Sequence, residues 1–359
     1  MPLDKEQVLA ALRTVKDPEL FKDIVTLGMV KDVRVDGDVA HVTVELTTPA
    51  CPLKDVIEKD VTAALWRIGV KPENVRLNLT ANTRGPAGPA RDALPQVKNI
   101  IAVGAGKGGV GKSTIALNVA VGLARTGAQV GLMDGDIYGP SMPTMLGIKG
   151  VPPSVRGNKI IPHNVHGIHA ITIGSLVEQD KPLIWRGPMA HGAFKQLLLD
   201  NTEWPSLDYL IVDLPPGTGD VPLTLCQLLP LTGAVVVATP QQVALDDAIR
   251  AVRMFQQLGA PILGVVENMS YIPLENGGML DMFGRGGTER AAQQLNVPFL
   301  GELPMFPALR VNSDTGKPHA NFEDADPRLR ESLEKIVTHL AGEVSKRNLG
   351  PQGPELTIS

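Results

Sequence analysis

The chain has 359 residues, of which 43% are apolar and only 4% aromatic, and its formal net charge at pH 7 is −4. This length predicts roughly two or three domains with a sizeable apolar core. The acidic balance and the scarcity of aromatic rings argue against a nucleic-acid partner, and the lack of an apolar run of about 18 residues argues against a membrane partner. The charged N-terminus lacks the apolar segment of a signal peptide, so we expect a cytoplasmic protein.

The chain opens with a pattern typical of a helix followed by a hairpin. Asp4 and Gln7 have the spacing of a capping box, which predicts a helix that runs to about Val15. Apolar and polar residues alternate on both sides of a turn at 36–38, which predicts a hairpin whose second strand ends at Leu46.

A second helix and a third strand complete this first region. Residues 52–67 predict an amphipathic helix, because apolar residues recur at helical spacing: Val56, Ile57, Val61 and Leu65. Residues 75–79 alternate again and predict a strand. We therefore expect residues 1–80 to form a small α+β domain.

A change of composition separates this region from the rest. Residues 81–98 are rich in Pro, Gly and Ala and predict a linker. From Asn99 onward, short apolar runs bounded by Gly, Pro or Asp alternate with helical stretches; the runs are 130–133, 209–212, 234–238 and 262–266. This alternation predicts an α/β domain over 99–345, with a mainly parallel sheet and helices on both faces. We expect the tail, 346–359, to be disordered.

Residues 106–113 fit the phosphate-binding loop pattern Gly-x-x-x-x-Gly-Lys-Ser. A strand-like run precedes them and a helical pattern follows, so a glycine-rich turn that binds nothing is the weaker interpretation. The glycines let backbone amides face phosphate oxygens, and the helix N-terminus adds partial positive charge. We predict that Lys112 reaches the β- and γ-phosphates and that Ser113 binds Mg²⁺. The predicted nucleotide-binding residues of the loop are Gly106, Lys107, Gly108, Gly109, Val110, Gly111, Lys112, Ser113 and Thr114.

Two of the apolar runs end in aspartates. Asp213 follows the run 209–212, where a carboxylate would lie beside the nucleotide and hold the hydration shell of Mg²⁺. Asp134 and Asp136 follow the run 130–133; Asp136 is a candidate to orient the attacking water, and Asp134 to support Mg²⁺ or Lys112. Acids at this spacing also occur in ordinary turns, and Asp213 would also suit a helix cap, but the phosphate loop upstream favours the catalytic interpretation.

Several motifs together resemble a known family. The loop 106–114, with its second lysine, resembles the deviant phosphate loop of the MinD/ParA class of ATPases. Four further motifs resemble the Mrp/ApbC family of iron–sulfur cluster carrier ATPases, and they lie at 134–141, 185–189, 213–220 and 267–271. The resemblance covers residues 99 to about 341. Residues 1–80, with the motifs at 17–19 and 47–52, resemble a small iron–sulfur assembly domain that is often fused to such ATPases.

The resemblance implies an Mg²⁺-dependent ATPase that works as a homodimer and transfers iron–sulfur clusters to apo-proteins or exchanges them with an assembly scaffold. ATP, Mg²⁺ and an iron–sulfur cluster are the implied cofactors. Lys107 would be a catalytic lysine that crosses the dimer to the partner's phosphates, beside the catalytic residues Lys112, Asp136 and Asp213. Asn268 would contact adenine.

The sequence departs from the family at the cluster site. Many members carry a Cys-x-x-Cys pair after the motif at 267–271, but residues 271–284 of this chain contain no cysteine. Clusters usually need thiolate ligands. The two cysteines of the chain are Cys51, which precedes a predicted helix and is a candidate cluster ligand or a small buried apolar residue, and Cys226, whose surroundings predict a helix core.

Three functions therefore remain open. The leading one is an ATP-hydrolysing iron–sulfur cluster carrier. The second is a nucleotide-switched adaptor that binds client proteins without holding a cluster. The third is a positioning ATPase of the ParA/MinD kind, which would need a basic patch or a terminal amphipathic helix. The C-terminal run 328–340 has apolar residues at helical spacing but mixed charge, which predicts a packed helix instead.

Overall fold

A computed structural model of the chain describes residues 3–17, 22–50, 54–83, 85, 94–136, 139–175, 192, 195 and 201–349. Cys51, the motif at 185–189, residues 86–93 of the predicted linker and the tail beyond 349 lie outside these ranges. The described chain divides into two compact units. The first holds the residues up to 83 and the end of the last helix from Ser345, and the second runs from Gly85 to Val344. Within the described ranges, no helix combines the length and apolarity needed to cross a membrane.

The first unit opens with helix α1 (Lys5–Leu12), which begins at the predicted capping box. The Gln7 N–H donates to the Asp4 carboxylate at 2.8 Å, and the Gln7 side chain accepts from the Asp4 N–H at 3.3 Å. The helix ends three residues before the predicted Val15. The N–H groups of Thr14 and Val15 bond to carbonyls three residues back, at 3.0 and 3.1 Å, so the chain tightens and leaves the α-helix there.

A three-stranded sheet and one helix complete the first unit. Strands β1 (Val30–Asp36) and β2 (Val39–Leu46) form the predicted antiparallel hairpin, and β3 (Val75–Ala81) pairs with β2 in parallel. Helix α2 (Lys54–Arg67) buries Ile57, Val61, Ala64 and Leu65. Val56 was predicted to share this apolar face but is exposed. The buried stripe begins at Ile57 and continues to Leu65 through residues spaced by four, three and one positions, so it faces away from Val56.

The second unit is built on a large sheet. Its strands are β4 (Val97–Gly104), β5 (Val130–Asp134), β8 (His163–Val165), β9 (Ile168–Thr172), β10 (Leu207–Asp213), β11 (Gly233–Ala238), β12 (Ile262–Asn268) and β15 (Phe299–Leu303). They lie in the order β15-β12-β11-β4-β10-β5-β9-β8, and every pairing is parallel except that of β8 with β9. Two small hairpins add β6 (Ser154–Arg156) with β7 (Lys159–Ile161), and β13 (Ile272–Pro273) with β14 (Met279–Leu280).

Helices connect these strands. They are α3 (Lys112–Arg125), α4 (Met142–Met145), α5 (Asp220–Leu228), α6 (Gln242–Gln257), α7 (Gly287–Leu295), α8 (Pro307–Asp314), α9 (Ala320–Glu323) and α10 (Pro327–Leu349), with short 3₁₀ turns at Pro72–Asn74 and Ile173–Ser175. The predicted α/β fold is confirmed. Since β4 lies centrally between β10 and β11, the loop after β4 meets the carboxyl ends of several parallel strands, which is where α/β folds bind ligands.

The last helix is longer than predicted. Helix α10 continues to Leu349, so residues 346–349 are helical although we expected them in a disordered tail. The apolar spacing continues past Leu340 to Val344, which is buried. Lys346 and Arg347 in the last turn also favour the helix, because cations stabilise the negative end of its dipole.

Truncating the buried face of α10 tests whether this helix is a packed element. Leu333 is 2% exposed, so Leu333→Ala should lower the free energy of unfolding by about 2–5 kcal/mol, through lost burial and a new cavity. Glu334→Ala is the matched control, because its side chain is 55% exposed and a surface change should cost no more than about 0.5 kcal/mol. Urea unfolding followed by circular dichroism measures both. Equal effects would contradict the packed helix.

Candidate nucleotide site

The phosphate loop adopts a backbone that only glycine tolerates well at two positions. Gly109 and Gly111 both have φ of +81°, in the left-handed region. Gly111 is also the N-cap of α3, and a Cβ atom there would lie 2.1 Å from Nδ2 of Asn268. The glycines of the motif therefore permit both the turn and the close approach of β12 to the loop.

Gly106 is required for a third reason. A Cβ atom at this residue would lie 2.0 Å from the carbonyl oxygen of Asp247 in α6, which is backbone and cannot rotate away. On the other side, the Gly217 N–H donates to the carbonyl of Ala105 at 2.9 Å. The start of the loop is thus held between α6 and the segment after β10.

Lys112, Ser113 and Asp213 form the centre of the site. The Lys112 ammonium lies 2.6 Å from one Asp213 oxygen, and the Ser113 hydroxyl donates to the other at 2.6 Å. Asp213 is fully buried, and burial raises the pKa of its carboxyl group while the Lys112 charge opposes that rise. Carboxylate and hydroxyl oxygens are the ligands that Mg²⁺ prefers, so the chemistry of these groups fits the predicted metal.

The two aspartates after β5 have different surroundings. Asp134 is fully buried, and its oxygens accept from the Thr172 hydroxyl at 2.8 Å and from the Asp136 N–H at 3.1 Å. Burial and the nearby Asp213 carboxylate raise the pKa of Asp134 to about 7. Asp136 instead lies with a carboxylate oxygen 3.9 Å from the Lys112 ammonium. Asp134 therefore holds the backbone of Asp136, which faces the loop.

Asn268 lies at the end of β12, where its Nδ2 donates to the Val110 carbonyl at 2.8 Å. A largely apolar cavity of about 820 Å³ adjoins it, and its lining includes Gly111, Thr114, Met269, Pro304 and Phe306. The cavity begins at the phosphate loop and at the start of α3. Its size and lining suit a nucleoside whose phosphates lie in the loop.

Lys107 is half-buried in the loop. Its ammonium forms no hydrogen bond or ion pair with another residue that the structure describes. A lysine in this position is available to an anion from outside the chain.

Two contributors to the site were missed by the sequence analysis. Thr172 holds Asp134, and the carbonyl of Asp247 lies against the loop at Gly106. Thr172 ends a short apolar run in the sequence, but its place opposite Asp134 follows only from the register of the sheet.

The one cysteine in the described ranges, Cys226, is buried. Cys226 is buried in α5, as its surroundings predicted, and burial raises its pKa to about 12, so it is a protonated thiol at neutral pH. Across the described ranges, no cluster of three or more His, Cys, Asp or Glu side chains is arranged to hold a metal ion. Cys51 lies outside those ranges.

Comparison with known proteins identifies the family. The protein-family model described as ParA, NUBPL iron-transfer P-loop NTPase, matches residues 96–341. A second family model, described as iron-sulfur cluster assembly protein, matches residues 5–80. The chain belongs to the iron-transfer P-loop NTPase family. The predicted family and the predicted class of function are both confirmed.

Two curated relatives of this NTPase match over nearly their whole length. The iron-sulfur cluster carrier protein of Synechocystis sp. is 48% identical, over 96% of this chain and 98% of the relative. The protein of the same name from Deinococcus radiodurans is 46% identical, over 98% and 99%.

Solved structures agree with the fold. A nucleotide-binding protein from Archaeoglobus fulgidus in complex with ADP is 34% identical, with a TM-score of 0.58 over 66% of this chain and 93% of that one. The septum site-determining protein MinD from Pyrococcus horikoshii, complexed with Mg-ADP, shares the fold at 21% identity and a TM-score of 0.50, over 67% and 94%.

Adding one methyl group to Gly106 tests the packing of the loop. Gly106→Ala should lower the free energy of unfolding by about 2 kcal/mol or more, because the new Cβ overlaps the Asp247 carbonyl and the backbone must shift. Gly108→Ala is the matched control: its nearest neighbour would be Pro216 Cγ at 4.0 Å, so stability should change little. Thermal unfolding without nucleotide measures both, and an unperturbed Gly106→Ala variant would contradict the described loop.

Proposed function

We propose that this chain is an Mg²⁺-dependent ATPase that binds an iron–sulfur cluster and transfers it to apo-proteins, working as a homodimer. Membership of an iron-transfer NTPase family supports the cargo. Two relatives above 45% identity are named iron-sulfur cluster carrier proteins, which supports the same cargo. The observation that carries the nucleotide chemistry is the contact of Lys112 and Ser113 with Asp213 at the start of α3.

The residues of the site have distinct roles in this proposal. Lys112 leaves Asp213 to bind the β- and γ-phosphates, and Lys107 adds positive charge from the partner subunit's loop as negative charge develops at the γ-phosphate. Asp136 accepts a hydrogen bond from the attacking water and directs it at the γ-phosphorus. Ser113 and Asp213 would hold Mg²⁺, and Asp134 would support the metal site. When bound, the ion would neutralise phosphate charge. Asn268 and the adjoining cavity bind the nucleoside.

The cluster itself is cargo, and its ligands are a separate part of the proposal. Residues 271–284 contain no cysteine, and Cys226 is a buried, protonated thiol. Cys51 is the remaining cysteine of the chain. We propose that Cys51 from each subunit contacts the cluster, with further ligands supplied by the scaffold or the client.

A nucleotide-switched adaptor that never holds a cluster is the second candidate. The missing cysteine pair favours it, because two Cys51 thiolates are fewer than the four that clusters usually have. A positioning ATPase is less well supported. From Leu329 to Val344, the Leu, Ile, Val and Ala residues of α10 are buried within the protein, so this part of the helix does not offer an apolar face to a membrane.

Anaerobic reconstitution with iron, sulfide and an excess of a small thiol, which stands in for the ligands that the scaffold or client would supply, separates the carrier from the adaptor. We expect near-stoichiometric iron and acid-labile sulfide per wild-type dimer, and loss of both in Cys51→Ala, because a thiolate ligand has been removed. Cys226→Ala is the matched control and should keep the cluster, since its thiol is buried. ATP hydrolysis should persist in all three proteins and be lost in Lys112→Ala. A wild-type protein that hydrolyses ATP but binds no cluster would replace the carrier with the adaptor.

A further inference from the structure

The first unit leaves its largest apolar side chain outside its core. Helix α2 buries Ile57, Val61, Ala64 and Leu65, whereas Trp66, in the last turn, is 65% exposed. Val56 and Ile68, at the two ends of the same stretch, are also more than one-third exposed. Tryptophan is enriched among the residues that contribute most to binding at protein interfaces, so an exposed Trp66 is a candidate anchor for a partner.

A groove of about 490 Å³ runs along this face of α2. It is lined by Asp55, Glu58, Lys59, Thr62, Ala63, Trp66 and Pro72. We call this set the α2 groove. Its helical members recur at spacings of three or four residues and therefore lie on one stripe of the helix. From the first to the last of them the helix rises about 16 Å, which is the length of an extended peptide of about five residues.

The charges that line the α2 groove favour a positively charged partner. Two carboxylates, those of Asp55 and Glu58, face one ammonium, that of Lys59, so the groove is net negative. Neither carboxylate forms an ion pair with another residue in the described part of the chain. At the opposite end, the indole face of Trp66 attracts a cation and packs against an aliphatic stem. Small side chains in the middle, Thr62 and Ala63, leave room for a backbone.

We propose that the α2 groove binds a short segment of a partner protein that carries arginine or lysine beside an apolar residue. The basic group lies against the carboxylates or over the indole, and the apolar group packs on Ala63 and Trp66. A nucleic acid does not fit, because its phosphates would be repelled by Asp55 and Glu58. The inference goes beyond the proposed function, since it requires neither nucleotide nor cluster.

A random library tests this chemistry without choosing the partner in advance. Phage-displayed 12-residue peptides are selected on the immobilised full-length chain and counter-selected on Trp66→Ala, and the enriched peptides are then measured by fluorescence anisotropy. We expect them to carry arginine or lysine with an apolar residue, and to bind more weakly as salt increases. Trp66→Ala should weaken binding about tenfold, as for an interface aromatic anchor, and Asp55→Asn with Glu58→Gln should weaken it about fivefold.

Matched variants separate the groove from the rest of α2. Asp60→Asn removes an exposed carboxylate of the same helix that does not line the groove, so it should leave affinity unchanged. Lys59→Gln removes the opposing charge and should tighten binding about twofold or more. Failure to enrich any peptide over the counter-selection, enrichment of acidic peptides, or equal losses in Asp60→Asn would overturn the proposal. ATP hydrolysis and thermal unfolding, measured on the same variants, should be unchanged, so this proposal and the ATPase proposal fail independently.

Discussion

The ion pair between Lys112 and Asp213 is the interaction on which the nucleotide site depends. It joins the first residue of α3 to the last residue of β10. In the same turn of α3, the Ser113 hydroxyl donates to the other Asp213 oxygen. A buried ammonium and a buried carboxylate stabilise one another, whereas either alone would be costly. The pair therefore keeps two charged groups buried beside the phosphate loop.

The surrounding structure supports this pair from several strands. Asp134 ends β5 beside β10, Thr172 ends β9 opposite Asp134, and the Asp136 carboxylate lies 3.9 Å from Lys112. On the other side, Asn268 at the end of β12 bonds to the phosphate loop. All of these residues are brought together because parallel strands end at one edge of the sheet.

Much of this arrangement could be predicted from the sequence because it depends on local patterns. The phosphate loop is contiguous, and Asp213 and Asp134 each end an apolar run, so a parallel sheet necessarily places them near the loop. The capping box at Asp4 and the hairpin of β1 and β2 are likewise local.

Contacts between distant segments could not be predicted in this way. The Asp247 carbonyl that excludes a side chain at Gly106 is a backbone atom on a separate helix, and no residue type signals it. Thr172 is recognisable only once its register with Asp134 is known. The exposure of Val56 depended on which residues of α2 face the sheet, where Ala64 completes the stripe. The roles of Lys107 and Asp136 in ATP hydrolysis and the contact of Asn268 with adenine stay predictions.

Calorimetric titration of Asp213→Asn with ATP, in the presence and absence of Mg²⁺, tests most directly whether Lys112 leaves Asp213 to bind the phosphates. Asparagine keeps a hydrogen-bonding side chain, but it leaves the Lys112 ammonium without its carboxylate partner and removes the carboxylate that we propose as a ligand of Mg²⁺. We expect metal-free ATP to bind this variant several-fold more tightly than it binds wild type, and Mg²⁺ no longer to strengthen binding. Asp208→Asn, at the other end of β10 and paired with Lys98 at 2.8 Å, should behave as wild type. If Asp213→Asn bound metal-free ATP with unchanged affinity and kept the full Mg²⁺ effect, neither the movement of Lys112 from Asp213 to the phosphates nor the role of Asp213 as a metal ligand would stand.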